Sequence, residues 1–500
     1  MSALVAPPVS VPTDVYVASM DGADLDLLRT LLDRWASKVR RNQLRMTYYD
    51  GKNRLRDLGI SIPPQLKSVE TVVGWPAKAV DALAHRIVFD GFVLPGDQED
   101  PYGLSAAFSD NQMQMELPQA ITSALIHAVS FISVTHGDTE AGQPEILVQA
   151  RSGMYGTGIW DRSTRSLKAA LSVSDVDENG VPTEMVMHLP DRVGHIVRSA
   201  AGRWSAAWRR NPVGRVLVEP LVYRPDLDRP FGRSRISRPV MSITDEAVRT
   251  VLRTEVSSEF FTAPQRGLLG ADEDVFTDDN GNPIPAWQSI IGKLWTIPRD
   301  ENGDLPTIHE FKQMSFQPHT EHLRSIASRF AGETSLPLSS LGIVQDNPDS
   351  AEAIYAAKED LVIEASDAGT SFGTRLVRTG QNIVMLRDGL TEPPAELRWL
   401  QANWQNPATP SVVSAADAVV KQVAAVPWLA ESPLILKKLG YSQGEIVQLL
   451  ADKSRAERQI QMRELLAGGR VAERSLASVS SDVPVPTSGG DAGQAADAGR

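Results

Sequence analysis

Leu336-Pro337-Leu338-Ser339-Ser340-Leu341-Gly342-Ile343-Val344-Gln345-Asp346-Asn347-Pro348-Asp349-Ser350-Ala351-Glu352-Ala353 is the stretch on which the reading of this chain turns. It is a loop that runs into a helix. Asn347 followed by Pro348 sets a capping residue before a proline at the first helical turn, where a missing N–H costs nothing. Beyond it Ile354, Leu361, Ala365, Ala368, Phe372, Leu376 and Ile383 recur at spacings that share one helical face, which predicts a single long helix. Gly369, Gly373 and Gly380 fall inside it, each weakening it by about 1 kcal/mol relative to alanine, and kinks are expected there. The loop from Leu336 to Ser350 carries Asp346 and Asp349 and neither Lys nor Arg.

Upstream, a helix follows Thr320, with Leu323, Ile326, Ala327 and Phe330 on one side. Another begins near Thr244 as N-cap, with Asp245 and Glu246 in its first turn. Its apolar stripe is Val248, Val251, Leu252, Val256 and Phe260, and Pro264 ends it. Residues 264–315 between the two are β-like, with turns at Asp279-Asn280-Gly281-Asn282 and Asp300-Glu301-Asn302-Gly303. Further out, Leu25, Leu28, Leu32, Trp35 and Val39 mark an N-terminal helix capped by Asp21 or Asp24, and residues 60–135 read as mainly helical. Glu145–Gln149, Ser166–Val173, Glu184–Leu189, His195–Arg198 and Arg203–Arg209 read as strands, with Asp177-Glu178-Asn179-Gly180 as a hairpin turn. Residues 411–466 form a helical cluster, with Ser442-Gln443-Gly444-Glu445 as a capping box and Tyr441 and Ile446 as its staple. The last residues are too poor in large apolar groups to fold.

Five hundred residues allow two to four compact units, and 42% apolar with 22% charged residues is ordinary globular usage. The absence of cysteine excludes disulfides, thiolate zinc sites and a cysteine nucleophile, and fits assembly in a reducing cytoplasm. The first twenty residues hold three prolines and no basic residue, so a secretory signal is not expected. The most apolar stretch, Ala120 to Val134, is interrupted by polar residues and too short to span a bilayer. A formal net charge of −12 argues against a tight grip on nucleic acid, while suiting a surface past which DNA slides.

No stretch makes a convincing active site. Asp175-x-Asp177-x-Asn179-Gly180 begins like a calcium loop, but its twelfth position is Val186, where a carboxylate is needed. No phosphate loop or nucleophile elbow is present, and Gly153-Met154-Tyr155-Gly156-Thr157-Gly158 has glycines in the wrong order for a dinucleotide site and reads as a loop. His319 and His322 read as surface histidines. Trp204 and Trp208, interleaved with arginines as in single-strand binders, fall on one strand face and read as core. The eight basic residues between Arg34 and Arg56 read as a solvated face or subunit ion pairs rather than a polyanion contact.

The order helix, β insertion, helix, loop, long helix is accompanied by several short pieces: Arg41-Asn42-Gln43-Leu44-Arg45 with Tyr48-Tyr49-Asp50-Gly51, Val73-Gly74-Trp75-Pro76 with Ala79-Val80-Asp81, Phe89-Asp90-Gly91-Phe92, Pro230-Phe231-Gly232-Arg233-Ser234, and the stretch quoted at the outset. Together, over roughly residues 20–465, they resemble the portal proteins of long-tailed bacteriophages, in particular the branch common in phages of actinobacteria.

The resemblance implies an α+β portal fold: a flexible arm (1–20), a mixed α/β wing (21–238), stem helices (239–262 and 318–332) and a β-containing clip between them (263–317). It further implies a tunnel loop (333–349), a long kinked tunnel-side helix with a wing return (350–405), a helical crown (406–468) and a disordered tail (469–500). It places Ser340, Leu341, Gly342, Val344, Gln345, Asp346, Asn347 and Asp349 facing DNA, and Asp278, Asp279, Asn280, Trp287 and Trp295 in the partner-binding clip. It implies no catalytic residue, metal or cofactor. The implied partners are further copies in a twelve-fold ring, double-stranded DNA passing without sequence specificity, the large terminase, the major capsid and scaffold proteins, and a head-completion adaptor, with no membrane. The implied location is the portal vertex of the virion, after assembly in the host cytoplasm. In such a ring each loop aspartate becomes a belt of like charge, which disfavours sticking of DNA, and the short amphipathic stem helices bury their second side against neighbours. The competing readings are a cytoplasmic enzyme without short motifs and another head-to-tail adaptor, of which the latter are usually shorter.

Overall fold

In the computed structural model the N-terminal leucine stripe forms α1 (Gly22–Tyr49), started by Asp21, whose carboxylate accepts the Asp24 N–H at 2.8 Å. Asp24 is thereby free of capping and instead holds Arg192 at 2.8 Å. The structure describes residues 9–12, 15–53, 71–95, 100–261, 266–269, 307–310, 315–343, 351–408, 412–441, 445–446 and 448–463. They fall into two units, Met1–Ala408 and Thr409–Arg500.

In the first unit α1 is followed by α2 (Trp75–Ala84), β1 (Phe89–Val93), α3 (Leu104–Asp110), α4 (Met113–His127), β2 (Val129–His136) and β3 (Ile146–Ser152). The expectation that 60–135 is mainly helical is met by α2, α3 and α4 and corrected at β1 and β2. An apolar run cannot by itself separate a buried helix from a buried strand, and Ala128, at φ 84°, ends α4 before Val129, Ile132 and Val134 extend. Next come β4 (Gly156–Asp161), β5 (Ser166–Val176), β6 (Pro182–His188), β7 (Arg192–Arg198), β8 (Trp204–Arg210) and β9 (Val218–Val222). Gly156-Thr157-Gly158 belongs to β4 and not to a loop, because Gly156 lies flat against the Phe131 ring. All pairings are antiparallel: β4-β5-β6-β7-β8 in one sheet and β3-β2-β9 in another.

Then follow α5 (Arg238–Phe261), β10 (Arg266–Leu269), β11 (Thr307–Glu310), α6 (Gln317–Thr334), α7 (Ala351–Arg387) and β12 (Gln401–Trp404). α5 starts six residues before Thr244, whose hydroxyl donates back to Val240 O at 2.8 Å as a buried mid-helix group and not a cap. α6 likewise starts ahead of Thr320, with Pro318 in its first turn. β10 pairs with β11, and β1 with β12. α7 runs through its three glycines as one helix. Gly369 and Gly373 face Trp404 and Gly380 faces Leu400 and Leu104, so the missing side chains let β12 and its flank lie close. Asn347-Pro348, expected to open this helix, lies outside the described residues.

Two cores result. One stacks Leu28, Leu31, Leu32, Trp35 and Val39 of α1 on Ala169, Leu171, Met185, Met187 and Ile196 of the five-stranded sheet. The other surrounds α7, whose Leu361, Ala365, Ala368, Phe372, Leu376 and Ile383 are buried with Leu117, Ile121 and Leu125 of α4, Phe330 of α6, and Ile132, Val134 and Val148 of the smaller sheet. Each fully buried Leu, Ile or Phe contributes about 1.5–3 kcal/mol. Trp204 and Trp208 pack against the first core as expected, with the Arg192 guanidinium 4.9 Å from the Trp208 ring centre. The Asp177–Gly180 hairpin forms with Gly180 at φ 73°, and the Asp177 carboxyl is held below the usual carboxylate range by the Val181 N–H at 2.9 Å.

The second unit contains α8 (Val412–Ala425), a turn at Pro427–Glu431 and α9 (Pro433–Lys438), capped by Ser432. Residues 448–463 are helical. Val419, Ile435 and Ile446 are buried while Val420, Trp428 and Leu434 are exposed. Most of the expected capping box, and the tail, lie outside the described residues. Among the described residues no helix is long and apolar enough to cross a membrane.

Candidate functional site

Charged side chains on the buried face of α7 mark the place where the helix pair α5 and α6 is rooted. Glu364 occupies a stripe position between Leu361 and Ala368, and one carboxylate oxygen accepts from Tyr223 OH and from Arg235 and pairs with Arg224 Nη2 at 3.0 Å. Arg235, three residues before α5, is buried with it. Its guanidinium also donates to Ala79 O of α2 at 2.7 Å, to Tyr223 OH at 3.2 Å, and to Thr334 O, the last carbonyl of α6, at 2.6 Å. One side chain thus ties the entrance of α5, the exit of α6, α2 and α7 together. Burial pushes the Tyr223 hydroxyl up to about 12, so it stays a proton donor.

Gly232 fixes the approach to this point. At φ 68° it sits with its α-carbon against Tyr223 O, where an added Cβ would lie 2.1 Å away. Only glycine fits. The Pro230–Ser234 piece is therefore a backbone requirement of the junction. The other pieces support the same region: Tyr48 OH donates to Asp245 of α5 at 2.9 Å, Tyr49 OH donates to Asp81 of α2 at 2.8 Å, and Trp75 lies 5.4 Å from Phe330 of α6. Burial raises both tyrosine hydroxyls, Tyr49 to about 12. Asn42 donates to Gly153 O at 2.9 Å and Arg45 to His127 O at 3.0 Å. Burial holds Arg45 down to about 10. Arg34, Lys38, Arg40 and Arg41 of the basic stretch are exposed.

α5 and α6 pack on each other, with Arg329 on Glu246 at 2.8 Å and Ser237 Oγ donating to Glu333 at 3.2 Å. His322 is 3.9 Å from Glu246, a surface pairing. Among the described residues no group of His, Asp and Glu is placed to hold a metal ion. A second buried carboxylate, Glu219 of β9, meets Arg378 Nε at 3.3 Å and Arg375 Nη1 at 3.5 Å, both from α7.

After α6 the chain makes a tight turn, Leu338–Leu341, ending at Gly342 with φ 80°. Of the residues expected to face DNA, Ser340 is half-buried and Gly342 exposed, but Leu341 is buried in the larger core. An apolar side chain in this turn is drawn to the cluster beneath it. Val344, Gln345, Asp346, Asn347 and Asp349 lie outside the described residues, as do Asp278, Asp279, Asn280, Trp287 and Trp295. Glu364, Arg235 and Glu219 were not anticipated. A carboxylate at a stripe position of α7, and another inside Val218-Glu219-Pro220-Leu221-Val222, were the signals available.

Proteins related in sequence fall in one class, the portal proteins of phages. The portal protein of Mycobacterium phage D29 is 28% identical over 407 residues, covering 80% of this chain and 82% of its own. That of Mycobacterium phage L5 is 28% identical over 383 residues, covering 75% and 77%. The family model described as phage portal protein, SPP1 Gp6-like, matches residues 28–428, and the chain belongs to that family. Its role is that of a portal, a connector subunit of the phage particle. The mycobacteriophage relatives agree with the resemblance to the actinobacterial branch. Among solved structures, a chain in the virion of a native gene transfer agent particle aligns with a TM-score of 0.41 and 12% identity, over 74% of this chain and 90% of that one.

Proposed function

We propose that many copies of this chain, twelve in the particle, close into a ring around a bore for double-stranded DNA at one capsid vertex. In this reading 21–238 with 350–405 form the wing, α5 and α6 the stem, 263–317 the clip, 333–349 the tunnel loop and 406–468 the crown. The observation that carries it is the span of the family match, which includes the helix pair, the segment between its helices and the whole of α7. The junction at Arg235 and Glu364 supports the assignment, since a stem must be anchored where its two helices enter and leave the wing.

The mechanism is passive. Asp346 and Asp349, repeated around an axis with no Lys or Arg between Leu336 and Ser350, disfavour adhesion of phosphate and let any sequence pass. The chain carries no phosphate-loop motif, so the work of packaging falls to an ATP-driven terminase docked on the clip, which later receives the head-completion protein. The subunit itself is not an enzyme, assembles in the host cytoplasm with capsid and scaffold proteins, and remains in the virion.

Electron microscopy of the purified full chain tests this. Rings with a central hole wide enough for a duplex are expected, and the chain alone is expected to show neither ATP hydrolysis nor nuclease activity. A monomer or compact dimer with either activity would establish the enzyme reading instead.

A further inference from the structure

The facing sides of the two sheets are apolar at one end, where Phe131, Leu167, Ala170 and Val218 pack together, and polar at the other. β5, β6 and β7 send Leu171, Met185, Met187 and Ile196 into the core under α1, so Ser172, Glu184, His188 and His195 point the opposite way by strand alternation. In the smaller sheet Ile132, Val134 and Val148 enter the core around α7, so Ser133, Gln149 and Arg151 turn away from it. Between these faces lies a cleft of about 850 Å³ with Ser133, Ser172, His188, His195, Gln149 and Arg151 in its lining. Sheets ordinarily face one another with apolar sides; here that contact stops short and polar side chains line the remaining gap.

His188 is 2% exposed, and neither ring nitrogen has a hydrogen-bond partner among the described residues. Leaving a buried polar atom unpaired costs about 1–3 kcal/mol. The charged groups that act on it are His195 and Arg151, both of which oppose a positive charge, and burial together with them pushes its imidazole down to about 3. No carboxylate offsets them at His188. Arg151 donates from Nη2 to Gln149 Oε1 at 3.0 Å and from Nη1 to Ala150 O at 3.1 Å. These bonds fix the guanidinium while leaving Nε and one hydrogen on each Nη for another acceptor.

From this geometry we propose that the cleft binds a phosphate-class oxyanion, held by the Arg151 guanidinium, an N–H of His188 and the Ser172 hydroxyl. Donors arriving from two sheets suit a tetrahedral anion better than a planar carboxylate, which favours a single guanidinium fork presented end-on. A neutral His188 suffices, since one nitrogen of the uncharged ring donates. Glu184, Asp138 and Glu140 also line the cleft and repel an anion that strays from Arg151.

Titration calorimetry on the assembled full chain, with inorganic phosphate at constant ionic strength, tests this. Saturable binding is expected, weakened about tenfold or more in R151Q and in H188Q. It should be unchanged in R203Q, which alters an exposed arginine outside the cleft. Circular dichroism of R151Q, whose side chain is only half-buried, separates loss of the site from loss of the fold. A short duplex in a second arm tells the source of the phosphate: competition with phosphate means a nucleic-acid backbone, its absence free phosphate, and either result supports the site. Lack of saturable binding, equal binding by R151Q and H188Q, or preference for glutarate over phosphate would each overturn the proposal.

Discussion

Glu219 and Glu364 are both carboxylates buried between the β9 region and α7, and both meet several arginines, yet their surroundings give them different weights. The arginines at Glu219 keep contact with water: the side chains of Arg375 and Arg378 are 19% and 25% exposed, and both also donate to Arg165 O. Arg375 further stacks 5.0 Å from the centre of the Trp160 ring. At Glu364 the central partner, Arg235, is only 3% exposed. Desolvation prevails at Glu219, raising its carboxyl above the usual range against the pull of Arg378, Arg375 and Arg215. A buried ion pair is judged by what its partner does when left alone. Arg375 and Arg378 can turn outward, and Arg235 cannot.

The largest test of this contrast is E364Q, which leaves the Arg235 charge buried without its carboxylate. A loss of about 3–5 kcal/mol is expected in denaturant unfolding of the full chain, with the midpoint shifted and the slope unchanged. A loss below about 1 kcal/mol would remove the distinction between the two sites. Y223F is expected to cost about 1 kcal/mol, because it deletes one donor to Glu364 and keeps Arg235 and Arg224.

E219Q should lie within about 1 kcal/mol of the parent near neutral pH, since Arg375 and Arg378 are part-exposed and can turn to water once the carboxylate is gone. Its pH dependence sharpens the point. A carboxyl raised in the folded state contributes stability that is complete below its unfolded value and lost as pH rises through the folded one. The glutamine cannot ionise, so E219Q should gain on the parent as pH rises through that window, and a difference that stayed constant with pH would refute the raised carboxyl. The smallest effect concerns the pair. Glu364 and Arg375 are eleven residues apart on α7, roughly 16 Å, so E219Q and E364Q should add to within about 0.5 kcal/mol.

What was legible beforehand follows the range of the forces involved. α1, the Asp177–Gly180 hairpin and α7 were readable because period, cap and turn chemistry act between near neighbours in sequence. The helix starts near Thr244 and Thr320 were misplaced because a threonine ahead of acidic residues looks like a cap unless an earlier turn is known to precede it. β2 was read as helix because Ala120–Val134 is mostly apolar on both sides of Ala128, and the left-handed Ala128 that divides it has no signature in residue type.

By itself the sequence settled the order of elements, the acidic and lysine-free loop before α7, the lack of cysteine and nucleotide motifs, and through these the resemblance to phage portals. Tertiary structure alone decided which charges are buried and with whom: Glu364 with an arginine 129 positions away, Glu219 with Arg375 and Arg378, and His188 beside Arg151 across two sheets. Periodicity reports which face of an element is apolar, whereas the cost of burying a charge is fixed by the dielectric and the partners around it, and those come from distant parts of the chain.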